Sequence, residues 1–215
     1  MIIAVDGPAA SGKGTLAGGL AGYYRLPHLD TGLLYRAVGR AVEAYDDKPE
    51  FMEKAIAAAR SLDLDDLDPE FLVSQQIGTL ASKVAVIAEV RQALFRFQRD
   101  FALRPGGAVL DGRDIGTHIA PDADVKLFIV ADTRARAERR YKQFVARGQR
   151  VDFETLYAQI EERDARDRGN PNGGFYPAAD AHLLDTTQLD IEAALRAAVA
   201  IVDAVIARKA GSKGP

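Results

Sequence analysis

The nine residues Gly7-Pro8-Ala9-Ala10-Ser11-Gly12-Lys13-Gly14-Thr15 constrain this chain more than any other stretch. They follow the run Met1-Ile2-Ile3-Ala4-Val5-Asp6 directly and lead into a helical pattern over 13–24. Glycines between a strand and a helix let the backbone curl until successive N–H groups point inward. Those amides, with the positive end of the following helix, form a nest for phosphate oxygens. Lys13 adds a mobile charge that can follow the β- and γ-phosphates of a nucleotide. A strand and helix joined in this way belong in a parallel sheet covered by helices on both faces.

The position after the lysine is informative. A Ser or Thr usually stands there and holds Mg²⁺. Here it is Gly14, and the hydroxyl comes one residue later on Thr15, in reach of an α-phosphate. Mg²⁺ then rests on phosphate oxygens and water, which is its habit, and no side chain is assigned to it as a direct ligand. The string Gly-Lys-Gly-Thr is similar to the usage of nucleoside monophosphate kinases and differs from that of switch GTPases. No Asn-Lys-x-Asp base-reading motif occurs.

Along the rest of the chain, short apolar runs alternate with amphipathic helices. Strands are expected at 1–5, around 26–29, at 108–111, 126–131 and 182–185. Helices are expected after Asp30-Thr31-Gly32, over 50–60, across most of 69–103, after 131, over 154–166 and over 191–207. The patch Asp63–Asp68 and the stretch 169–177 read as loops. The expectation is one α/β domain over 1–208, in three layers around a parallel sheet of about five strands. Its core would comprise 1–36, 105–145 and 178–208, followed by a disordered tail from 209 to 215.

Composition narrows the function classes. A net charge of −3 gives no global basic field for nucleic acid. No run approaches the roughly 20 apolar residues that span a bilayer. Cysteine is absent, which removes thiol chemistry and fits a reducing cytoplasm. Of 28 basic residues, 20 are Arg, and 14 of these lie from Arg91 to Arg168. Guanidinium suits phosphate and carboxylate. Arg134, Arg147 and Arg150 read as solvated helix faces. His28, His118 and His182 have no metal-ligand spacing and are assigned no chemistry. Asp6 either ends its strand or contacts the lysine or metal waters. Asp111 either supports metal waters or the loop, or is structural.

A phosphoryl-transfer enzyme needs a second anion site facing the first. Four segments supply candidates: Leu29–Arg36, Ser82–Arg91, Leu110–Thr117 and Arg163–Arg168. In this order, with the glycine loop and the strand Lys126–Ala131, they resemble bacterial cytidylate kinases over nearly all of residues 2–187. The resemblance implies an ATP:CMP (or dCMP) phosphotransferase that uses Mg²⁺. Gly7, Pro8, Ala9, Ala10, Ser11, Gly12, Lys13, Gly14 and Thr15 would bind ATP, with Arg139 facing its phosphates. Thr31, Arg36 and Arg113 would bind the CMP phosphate, and Ser82, Arg91 and Asp114 would read the cytosine edge. Arg163 and Asp167 would hold the sugar. Lys13, Arg113 and Arg139 would carry catalysis. Residues 30–104 would form the acceptor region and 146–168 a lid.

Two features depart from the family. Asn170 stands where an arginine commonly follows the lid aspartate, and 46–81 looks short and helical where many members carry a small β-sheet. Other acceptors (UMP, AMP or a shikimate-like molecule) and a non-transferring ATP-binding module remain alternatives. The expected state is a monomer with no nucleic-acid or membrane partner.

Overall fold

Strand β1 (Ile2–Asp6) lies at the centre of a five-stranded, wholly parallel sheet. The strands β2 (His28–Asp30), β3 (Ala108–Gly112), β4 (Val125–Val130) and β5 (His182–Asp185) complete the order β2-β3-β1-β4-β5. The computed structural model describes residues 1–63, 67, 72, 74–170 and 175–211. The central strands are almost continuously apolar because both faces are covered. On one face α1 (Lys13–Tyr24) and α8 (Ile191–Gly211) pack Leu16, Leu20, Ala198 and Val202 against Ile3, Val5, Val109, Leu127 and Ile129. On the other face, α5 (Ala88–Ala102) and a π-helical turn at Ile115–Ile119 cover Ala4 and Leu110. This is the three-layer α/β architecture that the alternation of strands and helices implies.

Between β2 and β3 the chain builds a helical lobe from α2 (Thr31–Ala41), α3 (Phe51–Arg60), α4 (Gln75–Val84) and α5. Its core holds Leu34, Val38, Ala55, Ala59, Val84, Val90 and Leu94. Gly39 makes the contact of α2 with α4 possible, since a Cβ there would lie 2.9 Å from the Ala81 nitrogen. No strand occurs among the described residues of 46–81. The helix expected across 69–103 is interrupted. It turns at Ala85–Ile87, where the Ile87 amide bonds back to the Val84 carbonyl, so Ser82 and Arg91 stand on separate helices. The start of that expected helix and most of the Asp63–Asp68 loop lie outside the described residues.

After β4 come α6 (Thr133–Ala146) and α7 (Phe153–Arg168), which close on each other through Ala137, Phe144, Leu156 and Ile160. Aspartates start several helices: Asp30, Asp132 and Asp152 accept from backbone amides of the first turns of α2, α6 and α7. Within the expected loop 169–177, residues 171–174 lie outside the described residues. The closing helix runs on to Gly211, past the point where a tail was expected, and 212–215 lie outside the described residues. Among the described residues, no helix is long and apolar enough to cross a membrane.

Candidate active site

The sheet register builds the floor of the site. Val5 pairs with Asp111, and Asp111 with Asp30, so two carboxylates stand side by side at the C-terminal edge. With β3 on one side of β1 and β4 on the other, the loop after β1 opens at the edge where ligands of open α/β sheets bind. That loop is drawn tightly onto the sheet. Gly7 has φ +156°, and a Cβ there would lie 2.3 Å from the Ile129 carbonyl oxygen. Gly12, at φ +91°, opens α1, and Ala10 takes the left-handed φ of 59° despite its side chain. Such a non-glycine conformation persists only where surroundings impose it.

A cleft of about 470 Å³ lies beside the loop, within the range of small-molecule sites. Ala9, Ala10, Lys13 and Gly14 line one side, and Thr31, Arg36, Ser82, Arg113, Asp114, Arg163 and Asp167 the other. Gly7, Pro8, Ser11, Gly12 and Thr15 shape the loop without lining the cleft, and Arg91 approaches it through its ion pair with Asp114. Arg139 stands behind the loop, bonded to the Ser11 carbonyl (3.3 Å) and to both the hydroxyl and carbonyl of Thr186.

Electrostatics in the cleft is dominated by crowded cations. Burial, then the Arg113 guanidinium, pull Lys13 down from its ordinary 10.5 to about 7. Burial, then Arg113, also lower Arg163 to about 9, and its Nε is buried without a hydrogen-bond partner. Arg36 and Arg163 converge over Gly78 of α4, where a Cβ would meet both guanidinium groups within 3.7 Å. Buried cations with unspent donors are a ready receptor for an anion, which would restore what desolvation removed.

Several of these side chains hold one another. Arg113 Nε donates to Asp167 at 2.7 Å. Burial opposes the charge on Asp167, yet Arg113 and Arg163 outweigh it and keep its carboxyl below the usual range. Arg36 is anchored by the Leu72 carbonyl at 2.8 Å. The Thr31 hydroxyl donates to the Asp111 carbonyl at 2.8 Å. Ser82 accepts from Arg166 Nε at 3.3 Å. Asn170, in the place of the family arginine, donates to the Ala85 carbonyl at 3.2 Å and so ties the end of α7 to the α4–α5 turn.

Four features escaped the sequence reading. Arg140 lines the cleft but lay within an arginine-rich stretch that gave no means of ranking it, whereas Arg166, which also lines the cleft, belongs to the candidate segment Arg163–Arg168. His28 contacts Asp111 at 2.7 Å, a pairing created by strand register. Asp6 does not line the cleft, though it feels the charge of Lys13. Its carboxylate accepts from the Ile115 and Gly116 amides at 2.8 Å each, fastening the π-helical turn. Burial nevertheless lifts Asp6 to about 7. Arg136, 3% exposed, is bound to Asp164, which is 4% exposed.

The sequence profile described as cytidylate kinase matches residues 3–204. The chain belongs to the cytidylate kinase family. A cytidylate kinase of Methylocella silvestris is 55% identical over 203 residues, 94% of each chain. One from Xanthobacter autotrophicus is 54% identical over 211 residues, 98% of this chain and all of the other. Among solved structures, an uncharacterized protein from Eubacterium ventriosum superposes with a TM-score of 0.54 over 95% of this chain and 98% of its own, at 20% identity. That likeness concerns the fold alone. This member of the family carries Asn170 and, among the described residues between β2 and β3, helices and no strand.

The donor set suits Mg²⁺ held indirectly. Among the described residues no three His, Cys, Asp or Glu side chains gather as metal ligands. Asp30 and Asp111 line the cleft beside Gly14, and a Cβ at Gly14 would lie 3.6 Å from Asp111 Oδ2. Carboxylates beside a side-chain-free position leave room for a hydrated ion between them and phosphate oxygens.

Proposed function

We propose that this chain transfers the γ-phosphoryl group of ATP to CMP or dCMP, giving ADP and the nucleoside diphosphate. The observation that carries the reading is the pairing of two anion receptors across one cleft. One is the glycine loop with Lys13; the other is the cluster of Arg36, Arg113 and Arg163. A CMP phosphate oxygen attacks the γ-phosphorus, and the bond to the β–γ bridging oxygen breaks, its electrons leaving with ADP. The acceptor is already ionised, so no strong general base is needed. Catalysis is alignment together with stabilisation of charge on the equatorial oxygens.

Lys13 and the loop amides hold the donor phosphates, while Arg36, Arg113 and Arg163 hold the acceptor phosphate. Asp114, oriented by Arg91, accepts from the exocyclic amine of cytosine, which uracil lacks. Asp167 serves the ribose once nucleotide competes for Arg113. Asp30 and Asp111 would hold the water shell of Mg²⁺, which neutralises phosphate charge when bound. Residues 146–168 act as a lid that excludes water. Both receptors come from one chain, which fits a monomer as the working unit.

The test is ADP release by the full chain across a panel of nucleoside monophosphates. Release strictly dependent on CMP or dCMP is expected. Release indifferent to any monophosphate would be hydrolysis of ATP by water, no release at all would leave only an ATP-binding module, and preference for UMP or AMP would reassign the acceptor.

A further inference from the structure

We infer that Arg136 and Asp164 form a positioning pair that aims the phosphate loop and ties its aim to the lid helix. The inference rests on the proposal that the loop binds ATP. Arg136 is on α6 and Asp164 on α7; neither lines the cleft. Every donor of the Arg136 guanidinium is used. Nε donates to the Ala131 carbonyl (3.0 Å) and Nη1 to the Ala9 carbonyl (3.1 Å) and to Asp164 Oδ1 (3.1 Å). Nη2 donates to Thr133 Oγ1 (2.9 Å) and Asp164 Oδ2 (2.6 Å). This is a bidentate, buried pair with one further bond into the loop.

The bond to Ala9 is the one with consequences. A trans peptide is planar, so its C=O and N–H point in opposite directions. Holding the Ala9 carbonyl against Arg136 turns the Ala10 amide the other way, and Ala10 is the residue kept at φ 59°. Arg139, one helical turn along α6, does the same two residues later. It holds the Ser11 carbonyl, as does the Thr186 hydroxyl at 3.0 Å, and this turns the Gly12 amide. Two arginines at spacing i, i+3 thus fix alternate peptides of the nest from behind.

Asp164 adds the link to the lid. It sits one turn before Asp167 on α7, and Asp167 holds Arg113 in the acceptor cluster. One helix therefore reaches the donor loop through Asp164–Arg136 and the acceptor pocket through Asp167–Arg113. A displacement of α7 would loosen the guanidinium that holds the Ala9 carbonyl and, with it, Arg113.

The experiment compares wild type, Arg136→Lys and Asp164→Asn by calorimetry with a non-hydrolysable ATP analogue plus Mg²⁺, and separately with CMP. The amide resonance of Ala10 is followed in parallel. Arg136→Lys should weaken the ATP analogue about tenfold, move CMP affinity by less than about twofold, and shift the Ala10 amide. Asp164→Asn keeps the Ala9 contact and should weaken the analogue about threefold; it carries the test if the lysine variant does not fold. Unchanged analogue affinity in a folded variant, or equal losses for both ligands, would overturn the pair's role. Wild type that fails to bind the analogue would overturn the ATP reading itself and the inference with it.

Discussion

The two sides of the cleft are built in opposite ways. The phosphate-loop side is nine consecutive residues, set by Gly7 against Ile129, Gly12 at the start of α1 and Ala10 held left-handed, with the Ala9 and Ser11 carbonyls held by Arg136 and Arg139. The acceptor side draws side chains from α2, α4, β3, the turn after it, and α7. A loop of amides is rigid because its covalent path is short. A cluster of long side chains must be held by partners, and here carboxylates do it: Asp114 holds Arg91, and Asp167 holds Arg113. Buried ion pairs of this kind contribute little net stability but are costly to break singly, because the survivor is left charged and unpaired. Lesions of the loop lysine should therefore act on phosphate charge, and lesions of the ion-paired arginines should spread to the partner left behind.

The largest effect should come from Lys13→Met, which removes the one mobile charge of the donor side. A fall in kcat of about 10³-fold is expected, with CMP affinity within about twofold of wild type. The same variant isolates a titration. Lys13 in the free protein has its pKa near 7 against an ordinary 10.5. The unfolded chain then binds more protons between about 7 and 10.5, so the stability of the free protein rises with pH across that window. Bound phosphate pulls the lysine back up, so ATP binding at pH 8 should take up close to one proton. Calorimetry in buffers of different ionisation enthalpy reads this uptake, and Lys13→Met should abolish it.

On the acceptor side, Arg113→Ala should lower kcat/KM for CMP about 10²-fold while the affinity for an ATP analogue stays within about twofold. It also strands Asp167, so restoring neutrality with Arg113→Ala/Asp167→Asn should recover part of the thermal stability lost. A loss on the ATP side of similar size would erase the contrast between the two receptors. Asp114→Ala should cost about tenfold in kcat/KM for CMP and distinctly less for UMP. Equal losses would mean that the carboxylate only orients Arg91. The smallest effect should be that of Asn170→Arg, which adds a cation near the acceptor pocket and removes the tie to Ala85. A two- to fivefold fall in KM for CMP is expected, roughly the gain from one partly exposed charge. A rise would show that the tie matters more than the charge.

How far the site could be read from residues alone follows the same division. The phosphate loop was legible because each of its requirements, glycine for curling, lysine for charge, helix for dipole, is met by neighbours in the chain. The helix start at Asp30 was open to reading for the same reason. The break between Ser82 and Arg91 was not, because the apolar spacing of Val84, Ile87 and Val90 continues through the turn at Ala85–Ile87. Arg136 could not be told from Arg134, two residues away. One is buried and spends every donor; the other is exposed, paired with Glu138 along its own helix and lying over the Phe153 ring.

Residue order by itself thus determined the alternation of strand and helix, the nest after the first strand, and a family pattern of arginines and aspartates. It could do so because these depend on steric and hydrogen-bonding preferences acting within a turn or two. Only the packed sheet and helices decided which arginine meets which carboxylate, that Asp6 fastens a turn while Asp111 meets His28, and that α7 touches both receptors. Those pairings join residues that are tens to more than a hundred positions apart. Their energies depend on burial, and burial exists only once the layers have closed.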